Sequence, residues 1–291
     1  MNELGGGRAE PMRAHTSLRI GGPADYFVRV RSEDDLVGAV RVAREAELPT
    51  FILGGGTNLL VADAGIRGVV LANAWTDVAA RGMVLDAASG TPLASVAAVA
   101  ARNGIAGLEW MATVPGTVGG AVHGNAGAFG SDTASVLLDA RLLDLDGNIW
   151  TADRDELGYG YRTSALQGTP TMVLRARFHG EPGDRQTAVR RIKEIANERI
   201  ATQPLAQPNT GSIFRNPPGD HAGRLVEAAG LKGLRIGGAM VSDKHANFIV
   251  NAGAATAADV RALMRRCQAE VKALFGVDLV PEVELVGEWD D

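Results

Sequence analysis

The pattern of apolar and polar positions switches between helical and strand spacing along the chain. Leu36, Val40 and Ala43 recur at helical spacing and predict a helix over 33–47, with Ser32 as its N-cap. Short apolar runs predict strands over 50–53, 68–72 and 83–88. Helices and strands are therefore expected to be mixed along the sequence.

Capping and turn residues mark the next elements. Thr91 as N-cap, with Pro92 at the first helical position, predicts a helix that ends before Gly104. Strand spacing over 136–151 breaks at an Asp-Gly step, which predicts a hairpin. The middle of the chain thus combines a helix with antiparallel strands.

Two longer helices are predicted in the second half of the chain. The apolar face of the first, over about 185–201, carries Val189, Ile192, Ala196 and Ile200. The second begins with the capping box Thr256 to Asp259 and ends at Gly276. Its apolar stripe contains Val260, Leu263, Met264, Cys267, Val271 and Leu274. Between these helices a proline-rich stretch over 202–218 predicts a domain junction, and the whole chain is expected to be α+β.

Composition narrows the classes of partner. Glycine accounts for 37 of 291 residues, and most of the excess lies in two local runs. The formal net charge of −5, without a basic tract, makes nucleic acid an unexpected partner. The single cysteine excludes an internal disulfide, and residues 1–10 lack the apolar region of a signal peptide. With no apolar stretch of membrane-spanning length, we expect a cytoplasmic protein that has no membrane partner.

The first glycine run follows the strand over 50–53 and consists of Gly54, Gly55, Gly56, Thr57 and Asn58. Glycine lets the backbone approach a ligand, and successive N–H groups can form a nest for a diphosphate. A tight turn that needs positive φ would also explain this run taken alone.

The second glycine run, over 115–130, makes phosphate binding the favoured interpretation. Its candidate cofactor residues are Pro115, Gly116, Thr117, Gly119, Gly120, Asn125 and Gly127. Neither run has the G-x-G-x-x-G spacing of a Rossmann fold or the Lys-Ser/Thr of a P-loop. A dinucleotide would therefore be bound outside the Rossmann scheme.

Four side chains are candidates for chemistry, each with a plainer alternative. Arg162, after Tyr161, could bind a carboxylate, or it could be a surface residue. Ser212 could donate a proton if a neighbour activates it, or it could be a cap. Glu282 and Glu284 should share a strand face, either in a cleft or in solvent.

The five histidines are not spaced like metal ligands, so we expect no catalytic metal. His245, in a polar cluster before an apolar run, could orient a ligand or be structural.

In order along the chain, these motifs resemble the flavoprotein family of UDP-N-acetylenolpyruvoylglucosamine reductases. The resemblance covers nearly the whole chain. It rests on HTSLRIGGPAD (15–25), LGGGTNLLVADAG (53–65), PGTVGGAVHGNAGAFG (115–130), GSIFRNP (211–217), SDKHANFIVN (242–251) and PEV (281–283). The separation of 50 in residue number between Arg162 and Ser212 (212 − 162) resembles that of the shorter, type II members.

The resemblance implies an FAD-binding fold of the vanillyl-alcohol-oxidase type. FAD-binding subdomains would lie at about 1–72 and 73–200, a substrate-binding domain at 201–291, and residues from about 282 would pack back on the FAD region. NADPH would reduce FAD, and the enolpyruvyl group of a UDP-sugar would be reduced to give UDP-N-acetylmuramate for peptidoglycan.

The resemblance also implies residue roles. Arg162 and Glu282 would stabilise the charge of the enolate-like intermediate, and Ser212 would protonate it. Tyr161, Arg199, Asn216 and His245 fall in the substrate-binding motifs. Two alternatives remain open: a flavin-dependent sugar or alcohol oxidase of the same fold, and a non-catalytic sensor of nucleotide sugars.

Overall fold

A computed structural model of the chain describes residues 6–289, which divide into two compact units. The first unit holds 6–7, 27–55 and 68–198, and the second holds 8–26, 56–67 and 199–289. Helices span Met12–Ala14, Glu33–Glu45, Leu93–Arg102, Glu109–Ala112, Val118–Gly124, Thr133–Val136, Arg185–Thr202, Ala222–Ala228 and Ala257–Phe275. Strands span Gly7–Pro11, Pro23–Val30, Thr50–Leu53, Leu59–Val61, Ile66–Asn73, Val78–Arg81, Val84–Ala88, Ile105–Ala106, Gly127–Ala128, Ser131–Asp132, Leu137–Leu143, Ile149–Asp153, Met172–His179, Glu181–Pro182, Arg235–Ile236, Ala239–Val241, Ile249–Asn251 and Glu284–Val286.

The first unit is built on an antiparallel five-stranded sheet. Its strand order is Ile149–Asp153, Leu137–Leu143, Met172–His179, Val84–Ala88 and Val78–Arg81. The helices Leu93–Arg102 and Val118–Gly124 contribute to the same buried core as Leu85 and Phe178. In addition, Thr50–Leu53 pairs in parallel with 69–72. The first glycine run begins where this short parallel strand ends.

The second unit has a smaller sheet and one long helix. Arg235–Ile236, Ala239–Val241 and Ile249–Asn251 form an antiparallel sheet, and Ala257–Phe275 contributes Val260, Leu263 and Cys267 to the core. Glu284–Val286 pairs in parallel with Leu59–Val61. This pairing brings the end of the chain beside the residues that follow the first glycine run.

Local capping signals were mostly correct. The Ser32 hydroxyl accepts a hydrogen bond from the Asp35 N–H, and Thr256 and Asp259 form the predicted capping box. The predicted hairpin is confirmed by the pairing of Leu137–Leu143 with Ile149–Asp153.

Three details of the predicted elements were wrong. Pro92, not Thr91, is the N-cap of Leu93–Arg102, because the Thr91 hydroxyl instead donates to the Asp77 carbonyl at 2.8 Å. In Arg185–Thr202 the predicted apolar face is partly exposed, with Val189 at 53% and Ile200 at 61%, whereas Ala188 and Ile195 are buried. Leu274, at the end of the last helix, is 59% exposed. Among residues 6–289, no helix has the length and apolar content needed to cross a bilayer.

Candidate active site

In the first unit the two glycine runs approach each other closely. A Cβ atom at Gly54 would lie 2.6 Å from the Thr117 Oγ1 atom of the second run. A Cβ atom at Gly119 would lie 3.1 Å from the Ser89 Cβ atom, which lies outside both runs. Gly54, Gly55, Pro115 and Gly120 remain exposed. Only glycine leaves room for this approach, and the exposed backbone fits the diphosphate predicted to bind here.

The rest of the first run lies in the second unit. Gly56 has φ +61°, and a Cβ there would lie 2.0 Å from the His15 carbonyl oxygen. Asn58 donates from Nδ2 to the Glu282 carbonyl at 3.0 Å, and the Asn58 carbonyl accepts from the Glu284 N–H at 3.0 Å. Asn58, predicted as a cofactor residue, is thus bonded on both sides to the segment that carries Glu282.

Arg162 lies in a tight turn of the first unit. Gly160 and Thr163 exchange backbone hydrogen bonds of 3.1 and 3.2 Å across this turn, and Arg162 itself has φ +59°. The Arg162 Nη2 atom donates to the Gly127 carbonyl at 2.7 Å, and the guanidinium carbon lies 5.4 Å from the centre of the Tyr161 ring. The guanidinium is therefore held against the second glycine run, while Tyr161 is 55% exposed.

Two further side chains attach this turn to the helix Val118–Gly124. The Tyr159 hydroxyl donates to the Val122 carbonyl at 3.1 Å, and the Ser164 hydroxyl donates to the His123 carbonyl at 2.6 Å. The last carbonyls of a helix have no partner within the helix, so these bonds satisfy them. Burial, with a smaller contribution from the charge of Asp132, raises the pKa of Tyr159, which stays a neutral donor.

Backbone pairing brings Ser212 and Glu282 together in the second unit. The Glu282 N–H donates to the Ile213 carbonyl at 2.8 Å, and the Arg215 N–H donates to the Val280 carbonyl at 2.9 Å. Gly211, with φ +79°, turns the chain just before Ser212. Ser212 is therefore one residue away from the backbone bond that fixes Glu282.

Asn247, which the sequence analysis did not single out, supports this segment. Its side chain is 4% exposed, accepts from the Phe214 N–H at 3.0 Å and donates to the Phe214 carbonyl at 2.8 Å. Its own N–H donates to His245 Nδ1 at 3.2 Å. Burial, followed by the charge of Lys232, lowers the pKa of His245, which favours the neutral ring. The only sequence signal for Asn247 is its place in the polar cluster 242–251.

Arg199 and Asn216, the other predicted substrate residues, both have protein partners. Arg199 donates from Nε and Nη2 to the Gln203 Oε1 atom at 2.9 and 2.7 Å, and burial lowers its pKa. Asn216 accepts from the Ala222 N–H at 3.1 Å, where the helix Ala222–Ala228 begins. Asn216 is exposed.

Two buried polar atoms near Ser212 have no hydrogen-bond partner among residues 6–289. They are the Thr210 Oγ1 atom and the Arg215 Nε atom. Leaving such an atom unpaired costs about 1–3 kcal/mol, so the packing around Ser212 is less favourable than its burial alone suggests. Within the same described residues, no three His, Cys, Asp or Glu side chains are grouped as a metal ion requires.

Comparison with known proteins identifies two family domains. The FAD binding domain matches residues 24–153, and the C-terminal domain of UDP-N-acetylenolpyruvoylglucosamine reductase matches residues 203–286. The first match contains both glycine runs, and the second contains Ser212 and Glu282.

Whole-chain relatives agree with these matches. UDP-N-acetylenolpyruvoylglucosamine reductase 2 of Symbiobacterium thermophilum is 47% identical over 96% of this chain and 92% of its own length. The reductase of Rubrobacter xylanophilus is 46% identical over 96% of this chain and 94% of its own length. The crystal structure of UDP-N-acetylenolpyruvylglucosamine reductase from Thermus caldophilus superposes with a TM-score of 0.82, at 36% identity, over 95% of this chain and 97% of that one. The predicted α+β fold with an FAD-binding domain is confirmed, and the chain belongs to the UDP-N-acetylenolpyruvoylglucosamine reductase family.

Proposed function

We propose that this chain uses NADPH and FAD to reduce the enolpyruvyl group of UDP-N-acetylglucosamine enolpyruvate, giving UDP-N-acetylmuramate. The observation that carries the proposal is the identity of 47% over 96% of the chain to a reductase of that name. The reaction supplies a precursor of peptidoglycan, and we place it in the cytoplasm.

When bound, FAD would supply the hydride-transfer chemistry that links NADPH to the methylene carbon of the enolpyruvyl group. This chain would hold the FAD diphosphate with the exposed backbone of Gly54, Gly55 and Gly120. A side chain at Gly54 would reduce the space between the two glycine runs.

Arg162 binds the substrate carboxylate in this proposal. Hydride addition breaks the carbon–carbon π bond and moves its electron pair onto the adjoining carbon and the carboxylate. A guanidinium fixed in advance by the Gly127 carbonyl stabilises this negative charge without reorganising during the step. Tyr161 lies beside it and is proposed as a substrate contact.

Ser212 and Glu282 complete the reduction. Ser212 donates its hydroxyl proton to the adjoining carbon, which completes the saturated product, and the serine is reprotonated from solvent. Glu282, as a neutral carboxylic acid, donates a hydrogen bond that stabilises the negative charge of the enolate-like intermediate. The backbone bond between Glu282 and Ile213 supports this assignment, because it keeps the carboxyl group near the proton donor.

The remaining predicted substrate residues are assigned to the nucleotide part. Arg199 and Asn216 are proposed to bind the diphosphate and neighbouring groups, and His245 to support the substrate-binding segment. We further propose that the FAD region corresponds to residues 1–200 and the substrate domain to residues 201–291.

The visible spectrum of the purified protein tests the proposal under anaerobic conditions. A flavin band that bleaches when NADPH is added and returns when the enolpyruvyl UDP-sugar is added is the expected result. A band that NADPH leaves intact, but that an alcohol substrate bleaches, would indicate the oxidase. Binding of the UDP-sugar without return of the band would indicate a sensor.

A further inference from the structure

We propose that Asn125 is a positioning residue for Arg162: its side chain holds the turn that presents the guanidinium. The inference rests on the proposed function, because it assumes that Arg162 acts on the substrate carboxylate. The sequence analysis had placed Asn125 among the cofactor residues.

The Asn125 side chain is committed to protein groups. It is 2% exposed, and its Nδ2 atom donates to the Gly160 carbonyl at 2.9 Å and to the Asp132 Oδ2 atom at 3.2 Å. Its Oδ1 atom accepts from the Ala134 N–H at 3.0 Å. Both amide hydrogens therefore have partners in the protein, which leaves no donor for a cofactor.

The bond to the Gly160 carbonyl matters because Gly160 begins the turn that contains Arg162. An arginine at φ +59° is in a left-handed conformation that L-residues adopt only when their surroundings fix it. Asn125 anchors this turn at its first residue. The guanidinium also lies 3.5 Å from the Asn125 carbonyl oxygen, so one residue contacts both the turn and the group it presents.

The backbone of Asn125 explains why an amide stands at this position. Asn125 ends the helix Val118–Gly124 in a left-handed conformation, φ 46° and ψ 56°. Asparagine and aspartate tolerate this conformation better than other residues with a side chain. Aspartate would fit the backbone and accept from Ala134, but it could not donate to Gly160 or Asp132.

Because aspartate cannot donate, exchanging the residues at positions 125 and 132 can separate the two hydrogen bonds that Asn125 Nδ2 donates, to Gly160 and to Asp132. In Asn125→Asp both are lost. Adding Asp132→Asn restores a donor between positions 125 and 132, and the side-chain oxygen of the new amide can still accept from the Ser135 N–H that Asp132 now caps. The donor to the Gly160 carbonyl stays absent in the double variant. Asp132→Asn alone is the matched control, because it keeps the donor to Gly160; its single amide oxygen can accept from either the Ser135 N–H or Asn125 Nδ2, so it also reports the cost of losing the other of these two bonds.

The measurement is the rate at which the NADPH-reduced enzyme is reoxidised by the enolpyruvyl UDP-sugar, together with the rate of flavin reduction by NADPH. The double variant should be reduced normally, and its melting temperature reports the stability cost of the swap separately. Its reoxidation should be slower by about tenfold, since one hydrogen bond to the turn is missing. The Asp132→Asn control should be reoxidised at nearly the wild-type rate. Reoxidation of the double variant at the wild-type rate would overturn the inference.

Ligand binding gives a second readout that a general loss of stability would not produce. UDP-N-acetylmuramate carries the carboxylate that Arg162 would contact, and UDP-N-acetylglucosamine lacks it. The double variant should bind the first about tenfold more weakly and the second unchanged. Equal weakening of both would contradict the inference.

Failure of the proposed function and failure of the variant to fold must each be distinguished from failure of the inference. If the wild-type reduced enzyme is not reoxidised by the UDP-sugar, the proposed function fails, whatever the variants do. If a carboxylate at position 125 prevents folding, Asn125→Gly removes the same donor, tolerates the left-handed backbone and replaces the swap, with the same expected losses.

Discussion

The catalytic candidates of the two units are held in place in different ways. In the first unit, side chains hold the turn of Arg162: Asn125 donates to the Gly160 carbonyl, and Ser164 donates to the His123 carbonyl. In the second unit, the segments of Ser212 and Glu282 are held mainly by backbone bonds, such as Glu282 N–H to the Ile213 carbonyl, and the Asn58 and Asn247 side chains add bonds to the Glu282 and Phe214 backbone.

This contrast indicates which substitutions should disturb each group. Backbone bonds survive the replacement of a neighbouring side chain, so changes around Ser212 and Glu282 should matter mainly when the reacting group itself is removed. The position of Arg162 depends on side chains that never touch the substrate. Conservative substitutions around Arg162 should therefore reduce activity more than similar substitutions around Ser212 and Glu282.

Removing the proton donor should have the largest effect. Ser212→Ala should keep flavin reduction by NADPH and slow reoxidation by the enolpyruvyl UDP-sugar by about 10²–10⁴-fold, the contribution of a positioned general acid. Stopped-flow absorbance measures both steps. If both steps proceed at wild-type rates, Ser212 is not the proton donor.

The two glutamates near the end of the chain provide a matched pair. Glu282→Ala should slow reoxidation by about 10²–10³-fold, as expected for the loss of a preorganised hydrogen-bond donor. Glu284→Ala should have little effect, because no step is assigned to its carboxyl group and its backbone bond to the Asn58 carbonyl is unchanged by the substitution. The reverse pattern would move the catalytic role to Glu284.

A methyl group at Gly54 should weaken FAD binding. The added Cβ would lie 2.6 Å from the Thr117 Oγ1 atom, and overpacking of this kind costs about 1–3 kcal/mol. FAD retained after gel filtration is the readout. Gly38→Ala is the control, because a Cβ there meets nothing within 4 Å. Full FAD retention in Gly54→Ala would show that the two runs can separate without loss of the cofactor.

Asn58→Ala tests the backbone-held region directly. It removes one donor to the Glu282 carbonyl, while the Glu282 N–H keeps its partner. Reoxidation should slow by only about twofold to fivefold, less than for the Asn125 swap. A loss larger than that of the swap would contradict the contrast between the units.

The smallest expected effect is the pH dependence due to His245. Its pKa in the folded protein lies below the ordinary 6.5, so between the two values the unfolded chain binds a proton that the folded chain does not. The free energy of unfolding therefore falls as the pH drops below 6.5 and is retained above it. His245→Gln should show a smaller fall in melting temperature between pH 7 and pH 5. An equal fall would place the dependence elsewhere.

Local signals in the sequence predicted much of the fold and fewer of the contacts. Ser32 and the Thr256–Asp259 pair bond within a few residues, so their caps can be read from spacing. Thr91 was misassigned because its partner, Asp77, is 14 residues away. The buried face of Arg185–Thr202 was predicted wrongly because apolar residues, such as Val189 and Ile195, occur on more than one side of this helix. Only tertiary packing determines which of them is buried.

The candidate site shows the same division. The glycine runs and the order of the motifs identified the family and FAD, because they are continuous in the sequence. The side-chain bonds of Asn125 to Gly160 and of Asn247 to Phe214 join residues more than 30 positions apart. No spacing rule predicts such bonds, so supporting residues were missed or assigned to the cofactor.

The most direct test of the account is the product of a single anaerobic turnover. The NADPH-reduced protein, freed of excess NADPH, is mixed with the enolpyruvyl UDP-sugar, and the nucleotides are analysed by mass spectrometry. The account predicts UDP-N-acetylmuramate in an amount equal to the bound FAD. Unchanged substrate, with the flavin still reduced, would contradict it.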